Sequence, residues 1–187
     1  MKRTSKGEYA WLSFCKKRET IRTIVYFGIS GAIFLMGYLS AKTTANLLTV
    51  VAALGCLPAS KSAVSMIMFL RATVCGSAMY ESLCSCFGAD FGYYHLYFTG
   101  CQKNHEIHHL YIKGSTVAAY SENPGIDQEA AKDHLLSMLR QAGVSQVSIK
   151  IFRDSEEYLA RLRRMTLLEP DPAKDEKIRE CFFAVTL

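Results

Sequence analysis

The apolar positions of this chain change their period along its length, and the changes divide it. From Thr23 to Ala41 there is no charged residue (TIVYFGISGAIFLMGYLSA), with Arg22 before the run and Lys42 after it. A helix rises 1.5 Å per residue, so about 20 apolar residues cross the ~30 Å hydrocarbon layer of a bilayer. A second uncharged run, Thr43 to Ser60, follows at once and contains Pro58. The polar link between the two is a few residues around Lys42, which predicts a transmembrane helical hairpin over 23–60. Gly28 and Ala32 stand four apart, the small-xxx-small spacing that lets two helices approach closely.

Residues 62–87 are small or apolar almost throughout, interrupted by Arg71 and Glu81. The pattern is too polar for a third span and too apolar for a linker. It predicts a connecting or interfacial helix over 61–89.

Beyond Asp90 the period shifts to that of a small mixed domain over 90–187. Gly92–Phe98 is rich in aromatics and reads as a strand. Ile107–Ile112 and Thr116–Tyr120 follow, joined by Lys113-Gly114-Ser115, a hairpin connection with glycine where positive φ is needed. Asp127 caps a helix over 128–142 with Ala131, Leu135, Met138 and Leu139 on one face, and Gly143 closes it. Val147–Phe152 reads as a fourth strand. Asp154 and Glu157 have capping-box spacing and open a further helix. Asp171-Pro172 starts a short helix to about Arg179, and Phe182–Leu187 reads as a last strand. The expected fold is therefore a membrane-anchored α+β protein, a two-helix hairpin followed by a domain in the order β-β-β-α-β-α-α-β.

Charge adds an orientation. Seven of the basic residues (Lys2, Arg3, Lys6, Lys16, Lys17, Arg18 and Arg22) precede the first run, opposed only by Glu8 and Glu19. The basic segment 1–22 is too long, and the apolar run too extended, for a cleaved signal peptide, so the first run reads as an anchor. The positive-inside rule then puts the N-terminus in the cytoplasm, Lys42 outside, and Lys61 with Arg71 back inside. Two spans return the C-terminal domain to the cytosol, as a multi-pass cell-membrane protein. Seven scattered cysteines form no disulfide framework.

Candidate chemistry is sparse. His105-Glu106-Ile107-His108-His109 matches H-E-x-x-H. On a helix the outer histidines would share a face and grip zinc, and Glu106 would activate a bound water. The stretch instead runs into a strand, where residues four apart share a face but lie ~13 Å apart. Cys84, Cys86 and Cys101 with His105 offer a second thiolate–imidazole set for zinc. Glu122, Asp127 and Lys150 suggest a metal-dependent nuclease, but Ser148 stands where a second carboxylate is needed.

Lys16, Lys17 and Arg18 fit a juxtamembrane contact with anionic lipid. Arg161, Arg163 and Arg164 form the one basic cluster of the domain, for anions or headgroups. The domain after Asp90 is otherwise nearly balanced in charge, so the overall charge says little about nucleic acid, which is not an expected partner. The reading that follows is a membrane-tethered cytosolic interaction or regulatory domain. It needs no cofactor, and its partners are the bilayer and a protein or a second copy of the chain. The alternative is a membrane-bound metal-dependent hydrolase using 105–109.

Overall fold

The computed structural model describes residues 5–42, 47–100 and 104–186. The chain divides into two compact units, one formed by Leu12–Arg71 and the other by Met1–Trp11 with Ala72–Leu187.

The helical unit is built from α1 (Trp11–Ala41) and α2 (Leu47–Arg71). Both are long and apolar enough to cross a membrane, by length and composition. They run antiparallel: the Thr23 and Ser62 hydroxyls meet at 3.0 Å, and the Ser30 hydroxyl donates to the Ala52 carbonyl at 2.7 Å. Between Thr23 and Ser62 the inward positions are small or hydroxylated, whereas Leu12, Glu19 and Phe69 are buried beyond that stretch. Thr23, Ser30, Ala52, Ala59 and Ser62 are all buried, and Ser30 lies against Gly55. Large apolar side chains point outward instead, among them Ile24, Ile29, Leu35, Leu39, Val50, Leu54 and Leu57. The seam is not the expected one: Gly28 has nothing near it and Ala32 is exposed. The inward residues on α2 recur at 52, 55, 59 and 62, alternating three and four, which sets a face 3.5 residues in period.

The second unit is a four-stranded sheet in the order β1 (Tyr93–Phe98), β2 (His105–Lys113), β3 (Thr116–Tyr120), β4 (Ser148–Phe152). The first two pairings are antiparallel and β3·β4 is parallel. Helices cover both faces. On one, α4 (Gln128–Gln141) and α6 (Pro172–Val185) bury Leu135, Leu139, Ile178 and Phe182 against Leu96, Ile107, Leu110 and Ile149. On the other, α3 (Ser77–Phe87) and α5 (Ser155–Met165) bury Met79, Leu83, Tyr158 and Leu162 against Tyr94, Ala118, Tyr120 and Phe152.

Two expectations are corrected. Residues 61–89 are not one helix. α2 continues to Arg71, the chain breaks from helix at 72–76, and α3 packs in the sheet unit. The expected last strand, and with it the terminal β of the predicted order, is also absent among the described residues. Asp171 accepts from the Lys174 N–H, Pro172 occupies the first turn, and α6 runs on to Val185. Ile178 and Phe182 are four apart and both fully buried, so one apolar stripe keeps the segment helical. Only Thr186 makes a sheet-like bridge, to Phe98.

Candidate functional site

The histidine-rich strand decides what the sheet's polar residues can do. Ile107 and Leu110 both face α4 and α6, although they are three apart. In β1, Tyr93 and Leu96 also pack on that face. Two consecutive residues in each strand, Tyr94-His95 and His108-His109, therefore turn to the α3/α5 side. The step is made at His95, whose φ of +58° lies in the left-handed region. One consequence concerns the H-E-x-x-H stretch. His105 lies against His134 of α4, ring centroids 5.3 Å apart, whereas His109 bonds Tyr158 of α5. The outer histidines are on opposite faces of the sheet and cannot share an ion. Glu106 meanwhile accepts from the Thr73 N–H.

Each inward histidine ties the sheet to a peripheral segment, and each partner fixes its tautomer. The Phe91 carbonyl can only accept, so His109 Nε2 carries the proton at 2.7 Å and Nδ1 accepts from the Tyr158 hydroxyl at 2.6 Å. His109 is fully buried, and burial holds its pKa down to about 4, against the Phe91 bond, which favours the cation. His108 Nδ1 accepts from the Glu122 N–H at 3.1 Å, leaving Nε2–H to donate to Thr73 Oγ1 at 2.7 Å. Burial lowers its pKa too, opposed by the Glu106 and Glu122 carboxylates. His95 Nδ1 accepts from the Cys75 N–H at 3.4 Å while its Nε2–H donates to the Tyr9 carbonyl at 3.1 Å.

These bonds gather on the link 72–76. The Glu122 carboxylate accepts the Gly76 N–H at 3.0 Å to both oxygens, where it faces the N-terminus of α3. A Cβ on Gly76 would come within 3.1 Å of that carboxylate, so glycine permits the approach. The Tyr9 hydroxyl donates to the Cys75 carbonyl at 3.0 Å. Cys75 is buried, and burial with the nearby Glu122 charge pushes its thiol up to about 12, which makes it a weak donor and no nucleophile. Tyr9 and Cys75, far apart in sequence, belong to the same unit as His95, which bonds the backbone of both. Sequence reasoning missed His95, because its role follows from a backbone step that side-chain periodicity does not encode.

Gly92 is the second tight point. Its φ is +79°, and a Cβ there would stand 2.6 Å from His109 Nε2.

The other sequence candidates are dispersed. Cys84 is half-buried and Cys86 exposed with its sulfur 4.0 Å from the Arg163 guanidinium; Cys101 lies outside the described residues. Asp127 caps α4 through the Ala130 N–H, and Lys150 lies over the Phe152 ring at 4.7 Å. With Glu122 committed to Gly76, the three nuclease candidates have separate structural tasks. On α5, Arg163 and Arg164 are exposed, while Arg161 is half-buried with an Nε that has no partner among the described residues. On α1, Arg18 pairs with the buried Glu19 at 2.9 Å, and Arg22 reaches the same carboxylate at 3.6 Å.

An open crevice of about 480 Å³ lies between the loops that follow β3 and β4, apart from a second cavity of about 320 Å³ lined in part by Lys6, Tyr9, Tyr80 and Tyr94. Ser121, Glu122, Gln128, Arg153, Asp154 and Glu157 line the crevice. These strands are parallel, and their loops leave to opposite faces, toward α4 and α5. Diverging loops at the carboxyl ends of parallel strands open the crevice in which sheets of this kind bind ligands. No protein-family model, curated protein or solved structure matches this chain.

Proposed function

We propose that the chain is a membrane-tethered interaction protein. The hairpin Leu12–Arg71 crosses a bilayer twice, and the α+β unit docks a protein partner, and so regulates a membrane complex, from the cytosolic side. The observation that carries this reading is the inverted polarity of the hairpin. Between Thr23 and Ser62 its seam is Thr, Ser, Ala and Gly, and its outer surface is Ile, Leu, Val and Phe. In water that arrangement exposes what burial should hide; in lipid it is the stable one, since small residues allow close approach and hydroxyls pair across the seam. The Thr23–Ser62 bond also sets Arg22 and Lys61 at one level, with Lys42 at the opposite end. Basic residues thus bracket an apolar slab, two on the side that the positive-inside rule makes cytosolic.

Orientation is tested with a membrane-impermeant maleimide on single-cysteine variants in intact cells. Lys42→Cys is expected to label directly, and a variant retaining only the exposed Cys86 is expected to label after permeabilisation alone. The reverse pattern would place the domain outside.

For docking, the crevice supplies Arg153 and Glu157 beside Gln128, a mixed-charge surface suited to a polar polypeptide segment. A photoreactive residue at position 153 is expected to give a discrete crosslinked species, and one at the exposed Glu180 of α6 is not. Equal products from both positions, or none from 153, would remove the crevice as the docking site.

A further inference from the structure

We propose that the cavity of about 320 Å³ on the α+β unit takes a small alkylammonium ligand. Its walls are the segment 5–10, α3, the loop after α3 and the start of β1. All of these belong to one unit, so the inference does not rest on the membrane reading of the hairpin. The segment 5–10 becomes a wall because the Tyr94 N–H donates to the Gly7 carbonyl at 2.7 Å. Gly7 permits that approach: its φ is +96°, and a Cβ there would stand 3.0 Å from the Phe183 ring. The volume lies at the small end of ligand pockets, which span about 300–1,000 Å³.

The chemistry of the walls selects a cation. Tyr9, Tyr80, Tyr93 and Tyr94 contribute rings, and a ring face attracts a cation within about 6 Å of its centroid. Tyr9 and Tyr80 stack at 3.9 Å, and Tyr94 meets them edge to face at 5.7 and 5.6 Å, so the cluster is set before a ligand arrives. Tyr94 is 2% exposed, and its hydroxyl has no partner among the described residues, which leaves a buried phenol oxygen unsatisfied in that cluster. Glu8 and Asp90 add carboxylates. Glu8 accepts from the Ser5 hydroxyl at 2.6 Å, whereas Asp90 is exposed and has no hydrogen bond or ion pair among the described residues. Lys6 also lines the cavity, but its ammonium donates to the Phe183 and Thr186 carbonyls at 2.7 and 2.6 Å, so its charge sits at the C-terminal end of α6. The Tyr80 pKa is raised by its bond to Cys84 and by burial, and Asp90 adds to the shift, as a negative field requires. The described residues hold no set of three metal-ligating side chains, and the rings favour an organic cation over a hydrated metal ion.

The test is equilibrium dialysis of radiolabelled choline against the full chain in a maltoside detergent. Saturable binding is expected, displaced by tetramethylammonium chloride but not by sodium chloride at equal ionic strength. Asp90→Asn is expected to weaken it by about threefold to fivefold, and Tyr80→Leu by a similar factor. Tyr80→Phe keeps the ring and should keep binding, as should Glu180→Gln at an exposed site on α6. Absence of saturable binding by wild type would overturn the proposal. So would an equal loss in Glu180→Gln, which would mean diffuse surface charge, or equal displacement by tert-butanol, which would mean a cavity that does not select charge. Displacement by phosphocholine as effective as by choline itself would assign the site to a lipid headgroup, and weaker displacement would assign it to a free amine.

Discussion

Val50→Arg is expected to abolish stable insertion of the hairpin, although Val50 is 56% exposed. Exposed positions in water tolerate such a change within about 0.5 kcal/mol. Leu167, which is 86% exposed in the α+β unit, supplies that comparison as Leu167→Arg. Val50 stands near the middle of the uncharged run Thr43–Ser60, where arginine costs ~2.5–3.5 kcal/mol on insertion scales. The outcome is read as the fraction of protein that resists alkaline carbonate extraction from membranes. A collapse of that fraction in Val50→Arg beside an unchanged Leu167→Arg identifies lipid as the solvent of the hairpin surface. If both variants behave alike, the outward Ile, Leu and Val side chains face something other than a bilayer.

His109→Ala is expected to lower the stability of the α+β unit by about 4 kcal/mol. The imidazole is fully buried and joins the Tyr158 hydroxyl to the Phe91 carbonyl. Its removal strands the buried Tyr158 hydroxyl and the part-buried Phe91 carbonyl, at ~1–3 kcal/mol each, and leaves a cavity. Tyr158→Phe keeps the ring beside Tyr120 and is expected to lose ~1–3 kcal/mol, because only His109 Nδ1 is orphaned. Both are read as the urea midpoint for labelling Cys75, a buried thiol that reacts on unfolding.

The same site predicts the direction of pH dependence. His109 binds a proton near its ordinary pKa of 6.5 when unfolded but only at about 4 when folded. Its contribution is therefore complete above pH 6.5 and declines as the pH falls toward 4, since the unfolded state takes up the proton first. His108 is lowered in the same direction, so His109→Ala should flatten the acid limb without levelling it. A metal centre at 105–109 predicts instead stoichiometric zinc that is lost with the histidine.

The residues that carried the sequence reading did so through local physics. An uncharged run bracketed by Arg22 and Lys42 is helix wherever it resides. Asp127, Asp154 and Asp171 each accept the backbone N–H that a helix start leaves unpaired. Lys113-Gly114-Ser115 turns because glycine tolerates the required φ. The end of α6 reads as a strand in the sequence because Cys181-Phe182-Phe183-Ala184-Val185 has strand composition. The tertiary stripe of Ile178 and Phe182 outweighs that preference.

Sequence by itself determined the two long apolar helices, the four strands and the starts of the domain's helices after β3. Those depend on composition and on interactions within a few residues. Only the tertiary structure decided which face each histidine takes, that the seam of the hairpin runs through Ser30 and Gly55 rather than Gly28, and that Arg18 pairs with the buried Glu19. Those outcomes depend on a backbone step at His95 and on partners 22 to 49 residues distant along the chain, from Ser30 with Ala52 to His109 with Tyr158. No local pattern can encode such distances, because the free energy that selects them exists only once both partners are in place.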